Sequence, residues 1–261
     1  MAVGFNVALS ISGSAVKEIS IGNSQNQGRR PYQEDSFGFT DLDTVSVSDR
    51  GFIAMVSDGM GGLSDSDTVS KYSVSAIQQM YRTLDFSVQP GVVFTKMVNA
   101  ISTAVADEGT GGGATLVAVC CTANGIYWCS VGDSRLYLFR NGKLFQFSQD
   151  LDYINTLLEK VIDGEMTYTE ADNAPKRDSL AQYIGSGEEL TPDVNVKPFI
   201  PEVGDKLLLC SDGVYNALSA EELTMQLHRG AQDSADAITA AVLGKQYENQ
   251  DNFTSIILEF K

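Results

Sequence analysis

Apolar and polar positions alternate along this chain in two distinct rhythms. Short runs with a period of two, or with continuous apolar character, predict strands at Val16–Ile21, Asp35–Thr40 and Phe52–Val56. Two stretches with spacings of three and four follow: Val69, Tyr72, Ala76, Ile77, Met80, Tyr81 and Leu84, then Val92, Val93, Met97, Val98, Ile101 and Val105. That spacing lays an apolar stripe along one face of a helix. Strand signals return at Ala114–Cys121, Gly125–Ser130, Arg135–Arg140 and Lys143–Phe147. The last pair flanks Asn141-Gly142, a two-residue turn that tolerates positive φ at both positions. Residues from about Gln149 to Leu190 are more polar, with a short helix predicted over Ile154–Ile162 and ended at Gly164. A strand at Lys206–Cys210 comes next. Ser219 and Glu222 form a capping box for a helix Ala220–Arg229, a second helix runs from about Ser234 to Tyr247, and a strand Phe253–Phe260 closes the chain.

Helices come in pairs and strands in hairpins, which disfavours a doubly wound parallel sheet. The expected class is α+β: two mainly antiparallel sheets in the middle with helix pairs outside. No repeat or Pro/Ser linker interrupts the 261 residues, so one domain spanning 1–261 is expected, with an insert over about 149–190.

Composition narrows the chemistry. Lys and Arg total 18 against 34 Asp and Glu, a net charge of −16, which excludes nucleic-acid binding by broad phosphate neutralisation. The four cysteines, Cys120, Cys121, Cys129 and Cys210, include no C-x-x-C pair and are expected as buried thiols in a reducing compartment. No basic region precedes an apolar stretch at the N-terminus, so no signal peptide is expected and the location is expected to be cytoplasmic. The uncharged stretch from Gly109 to Gly132 opens on glycines and breaks at Thr122-Ala-Asn-Gly125, so it reads as a turn and two strands and not a membrane span.

Carboxylates stand at several predicted strand ends: Glu34 and Asp35, Asp58 before Gly59, Asp133, Asp212 before Gly213, and Asp251. Each alone is ordinary turn chemistry. Together they would repel, by about 4 kcal/mol for a pair 4 Å apart at an effective dielectric near 20, unless cations sat among them. An all-oxygen set suits Mg²⁺ or Mn²⁺. The single histidine, His228, falls mid-helix and is expected to be a surface or packing residue. Arg29 and Arg30 are the nearby cations, and spacing alone leaves open which one faces the acids.

These motifs resemble, in order, those of the metal-dependent protein phosphatases of the protein phosphatase 2C type (PPM). The resemblance rests on Gln27-Gly-Arg-Arg-Pro-Tyr-Gln-Glu-Asp35, Val56-Ser-Asp-Gly-Met-Gly-Gly62, Gly113-Ala-Thr115, Ser130-Val-Gly-Asp-Ser-Arg135, Leu207-Leu-Leu-Cys-Ser-Asp-Gly-Val214 and Gln250-Asp-Asn-Phe-Thr254. It implies a four-layer αββα sandwich with the insert as a flap beside the active site. It implies that Asp58 bridges two Mg²⁺ or Mn²⁺ ions, with the Gly59 carbonyl on one of them. Asp212 and Asp251 would complete one shell, and Glu34 and Asp35 would act on the other. Asp133, with Asp212, would sit near a third, weaker site seen in some members. Arg30 would hold the substrate phosphate.

The implied activity is serine/threonine protein phosphatase: a metal-activated water hydrolyses phosphoserine or phosphothreonine monoesters in one step without a covalent intermediate. The implied partners are phosphorylated proteins, targets of a Ser/Thr kinase, for a monomer that binds neither nucleic acid nor membrane. The alternatives are a non-catalytic pseudophosphatase binding module and a small phosphate-ester hydrolase. Three departures from the family pattern concern the flap: Ala114 where Ser or Thr is commoner, Ser148-Gln-Asp-Leu-Asp152 in place of Asp-His-Ser, and Pro175-Lys-Arg-Asp178 in place of His-Pro-x-Arg-Asn. Met60 stands where some members carry histidine, so a metal-bound water is expected to supply the leaving oxygen's proton.

Overall fold

Two antiparallel sheets face each other in the computed structural model, which describes residues 4–40, 42–43, 47, 50–60, 65–83, 89–177 and 179–261. Among the described residues, the first sheet runs β1 (Phe5–Ala8), β2 (Glu18–Asn26), β11 (Phe253–Phe260), β10 (Lys206–Cys210), β7 (Arg135–Arg140) and β8 (Lys143–Gln146), in that spatial order. The second runs β3 (Ser36–Phe39), β4 (Phe52–Ser57), β5 (Leu116–Thr122), β6 (Gly125–Val131) and β9 (Asp193–Val194). Helices α1 (Ser66–Tyr81) and α2 (Pro90–Glu108) cover the second sheet. Helices α5 (Asp212–Tyr215), α6 (Ala220–Gln226) and α7 (Ala231–Gly244) cover the first. The expected αββα layering is therefore present.

Strand alternation builds the layers. Along β5, Leu116, Ala118 and Cys120 pack toward α1 and α2, while Val117, Val119 and Cys121 pack between the sheets with Ile21, Phe52, Leu136, Leu209 and Ile256. The adjacent thiols Cys120 and Cys121 thus point to opposite faces, and all four cysteines are free and buried. A strand buried on both faces reads as a continuous apolar run.

The local signals act as the sequence predicts at several points. Asn141 and Gly142 both take positive φ, 52° and 73°, and join β7 to β8. The Ser219–Glu222 capping box forms at the start of α6. Other boundaries move. β1 was not expected, and the strand placed at Val16–Ile21 begins at Glu18 and continues to Asn26, because β11 pairs along its whole length. The second strand starts at Ser36, which leaves Asp35 just ahead of it. α6 stops at Gln226, so His228 lies in the turn beyond it, stacked edge-on against Phe139 at 5.1 Å. α7 starts at Ala231, one turn early, because the Gly230 carbonyl accepts from Ser234 N. Gly61, Gly62, Leu84 and Asp178 lie outside the described residues.

The segment 149–190 carries α3 (Tyr153–Ile162) and α4 (Tyr168–Asp172) and returns through bridges at Asp152–Leu180 and Ala114–Ile184. Arg135 holds its start through Nε and Nη2 to Asp150, 3.0 and 2.6 Å. No helix among the described residues is long and apolar enough to cross a membrane.

Candidate active site

One end of the two sheets gathers the acids, because strands of both sheets end there. β4 delivers Asp58 and Gly59, the β6–β7 turn delivers Asp133, β10 ends just before Asp212, and Asp251 precedes β11. The loop from β2 to β3 brings Arg30, Glu34 and Asp35. Glu34, Asp58, Gly59, Asp133, Asp212, Asp251 and Arg30 line one cleft of about 250 Å³, joined by Met60, Thr115 and Leu180. Asp35 stands behind this lining, 2% exposed. Every acid expected at the site is thus at or against it. Arg30 is the cation facing it, while Arg29 faces a different, smaller cavity.

Hydrogen bonds fix the acids across the gap between the sheets. Asp35 Oδ2 accepts from Ser211 Oγ at 2.8 Å and Thr254 Oγ1 at 2.7 Å, both on the opposite sheet's side. Asn252 Oδ1 accepts from Glu34 N at 2.7 Å, and its Nδ2 donates to the carbonyls of Gln27 and Tyr32, which pins the loop carrying Arg30. Thr115 Oγ1 accepts from Asp58 N at 3.1 Å and lies 2.6 Å from Ser134 Oγ. The Tyr215 hydroxyl donates to the Asp133 carbonyl at 3.0 Å, with the Arg135 guanidinium stacked 3.6 Å from its ring. Close backbone approach needs glycine at two points. A Cβ on Gly59 would come within 2.7 Å of the Ser66 carbonyl oxygen, and one on Gly213 within 2.0 Å of the Asn252 carbonyl oxygen.

The electrostatics are those of crowded anions. Burial pushes Asp58 well above the carboxylate range, and the charges of Asp35, Asp212 and Asp133 push it further. Burial raises Asp212 to about 7, reinforced by Asp133 and Asp251. Burial raises Asp35 to about 6 against the lowering effect of its bonds from Thr254 and Ser211. Asp133 and Glu34 are raised by burial too. Asp58 meets the carboxyls of Asp35 and Asp212 in hydrogen bonds that require a proton on one partner. Asp35 Oδ1 is buried and receives nothing from any other donor among the described residues.

Arg30 Nη2 pairs with Asp251 Oδ2 at 2.6 Å and is raised by that bond. With protons and Arg30 holding the acids, no three His, Cys, Asp or Glu side chains among the described residues are set around a common point as an ion's ligands. Ser211, Thr254, Thr115 and Ser134 support the site from within the family-like motifs, although no role was expected of them, and Tyr215 supports it with no sequence signal. Asn252, which follows Asp251 in Gln250-Asp-Asn, was within reach of the motif.

A family model for protein phosphatase 2C matches residues 22–246. The chain belongs to the protein phosphatase 2C family. It is 30% identical over 219 residues to the serine/threonine phosphatase stp of Listeria welshimeri, covering 79% of this chain and 84% of that one. The serine/threonine phosphatase of S. agalactiae superposes with a TM-score of 0.77 at 24% identity, over 93% of this chain and 100% of the other. The Mycobacterium tuberculosis phosphatase PstP/Ppp superposes at 0.72 with 25% identity, over 93% and 99%.

Proposed function

We propose that this member of the family is a Mg²⁺/Mn²⁺-dependent protein serine/threonine phosphatase acting on phosphoproteins. The observation that carries the reading is the meeting of five carboxylates and one guanidinium around a single cleft, backed by the orphaned Asp35 Oδ1. Crowded, partly protonated acids with an unmet buried oxygen are a site that cations would complete, since hard dications prefer all-oxygen donors. The curated relative's name, serine/threonine phosphatase, supports the substrate class.

Asp58, the Gly59 carbonyl, Glu34, Asp35, Asp212 and Asp251 would hold two ions, with Asp133 beside a third. Bound there, the ions supply Lewis acidity and a water acidic enough to act as nucleophile near neutral pH. Arg30 would grip the phosphoryl oxygens through its planar fork, which requires it to release Asp251. Water attacks phosphorus as the bond to the serine or threonine oxygen breaks, so no side chain is acylated or phosphorylated. The departing oxygen needs a proton, and Met60 at the cleft wall has none to give.

We further read the chain as one catalytic domain with 149–190 as its flap, cytoplasmic and monomeric, opposed by a Ser/Thr kinase. Leu180 in the cleft wall supports the flap's proximity to substrate. The intact acid set disfavours a pseudophosphatase. The test is hydrolysis of p-nitrophenyl phosphate and a phosphothreonine peptide with and without Mn²⁺. Metal-dependent turnover of both, lost in Asp58→Asn, is expected; a folded protein inert at saturating Mn²⁺ overturns the reading.

A further inference from the structure

A second cavity of about 420 Å³ adjoins the acidic cleft, within the roughly 300–1,000 Å³ span of ligand pockets. It lies between α5 and the loop 247–251, lined by Gly213, Asn216, Tyr247, Glu248, Gln250 and Asp251 among others. Asp251 belongs to both cavities, and Asn216 Nδ2 donates to Asp212 Oδ2 at 3.2 Å, so the partition between them is one residue thick.

The lining is acidic and aromatic, formed in part by Glu248, Asp251 and Tyr247. Among the described residues, Glu248 makes no ion pair and no cation lines the cavity. Arg30 offsets Asp251, and Arg29 lines a separate cavity of about 40 Å³. The uncompensated charge is therefore that of Glu248. Tyr247, 48% exposed, brings to the lining an aromatic ring, a group on which a guanidinium or ammonium stacks. Such a wall repels phosphate and accepts a cationic, donor-rich group.

We propose that this cavity receives the side chain of an arginine or lysine flanking the phosphorylated residue of the protein substrate. The inference rests on the phosphatase reading of the adjoining cleft. Because the wall is shared, a group in the second cavity and a phosphate in the first belong to neighbouring residues of one extended peptide, at about 3.3 Å per residue. The role is in specificity and not in the hydrolytic step, so small substrates without a flanking residue do not use it.

The test compares kcat/KM on a phosphothreonine peptide panel in which one arginine is moved through the flanking positions of an otherwise neutral sequence. p-Nitrophenyl phosphate is the control, and each substrate is assayed with the wild type, Glu248→Gln and Asp233→Asn. Asp233, on α7, stands outside the lining of the cavity and reports the general field of the acidic protein. We expect one position to favour arginine over alanine by roughly fivefold, as for a partly exposed ion pair. That preference should fall below about twofold in Glu248→Gln and persist in Asp233→Asn, with p-nitrophenyl phosphate turnover the same in all three. Equal rates across the panel, or equal loss in both variants, overturn the inference while metal-dependent p-nitrophenyl phosphate turnover leaves the phosphatase reading standing. A wild type inert toward p-nitrophenyl phosphate overturns both.

Discussion

Stripping the metal should make this protein less stable as the pH rises, the reverse of the usual behaviour of salt-bridged carboxylates. Asp35 and Asp212 are raised in the folded state from 3.8 to about 6 and about 7. A group whose folded value lies above its unfolded one stabilises fully when protonated in both states, below about pH 4, and loses that contribution as pH passes through the folded value. Taken singly, the two shifts correspond to about 3 and about 4 kcal/mol at ~1.36 kcal/mol per pH unit. Both residues share protons with Asp58, so the contributions overlap, and about 4 kcal/mol is the expected size for the set. At roughly 2–4 °C per kcal/mol for a chain of this length, Tm of the chelator-treated protein should fall by roughly 10 °C between about pH 4 and about pH 8. Millimolar Mn²⁺ should restore most of that loss at the upper pH and little at the lower, where protons compete for the same oxygens. Differential scanning calorimetry in matched buffers measures it. Asp58→Asn removes the central charge and should at least halve the decline. A metal-free Tm that is flat or rising over this range, with the same slope in Asp58→Asn, refutes the picture of mutually repelling acids.

Two further outcomes follow from local geometry. Met60→Ala should leave kcat within about threefold of wild type, because no proton comes from this side chain; a larger loss in steady-state kinetics with Mn²⁺ affinity unchanged refutes that assignment. Lys206, 4% exposed in β10, donates to the Leu227 and Arg229 carbonyls beyond α6 and approaches Glu259 at 3.5 Å. Lys206→Met leaves those acceptors unmet and should destabilise by about 2–4 kcal/mol in urea unfolding, with kcat at 25 °C unchanged; a loss below about 0.5 kcal/mol contradicts it.

Much of the architecture was legible because each layer writes its own period. Cys120 and Cys121 landed on opposite faces as strand geometry requires, and Asn141-Gly142 turned as its φ tolerance predicts. β1 was missed because a four-residue edge strand is specified mainly by pairing with β2. α4 was missed although Thr167 and Glu170 form the same kind of capping box as Ser219 and Glu222; that signal was present and readable. At the site, the acids announced themselves by standing at strand ends beside glycines. Ser211 and Thr254 stand in the same motifs as Asp212 and Asp251, but their aim at Asp35 across 176 and 219 positions of chain is something no local pattern encodes.

The loop bearing Glu34 and Asp35 feeds one sheet, while Ser211, Asn252 and Thr254 belong to the other, and the bonds between them cross the seam. Ion affinity in this molecule is therefore coupled to how the two halves of the sandwich are aligned. Repacking Val117, Val119 or Ile256, interior residues outside the cleft lining, becomes a way to retune a divalent-cation dissociation constant without touching a single ligand.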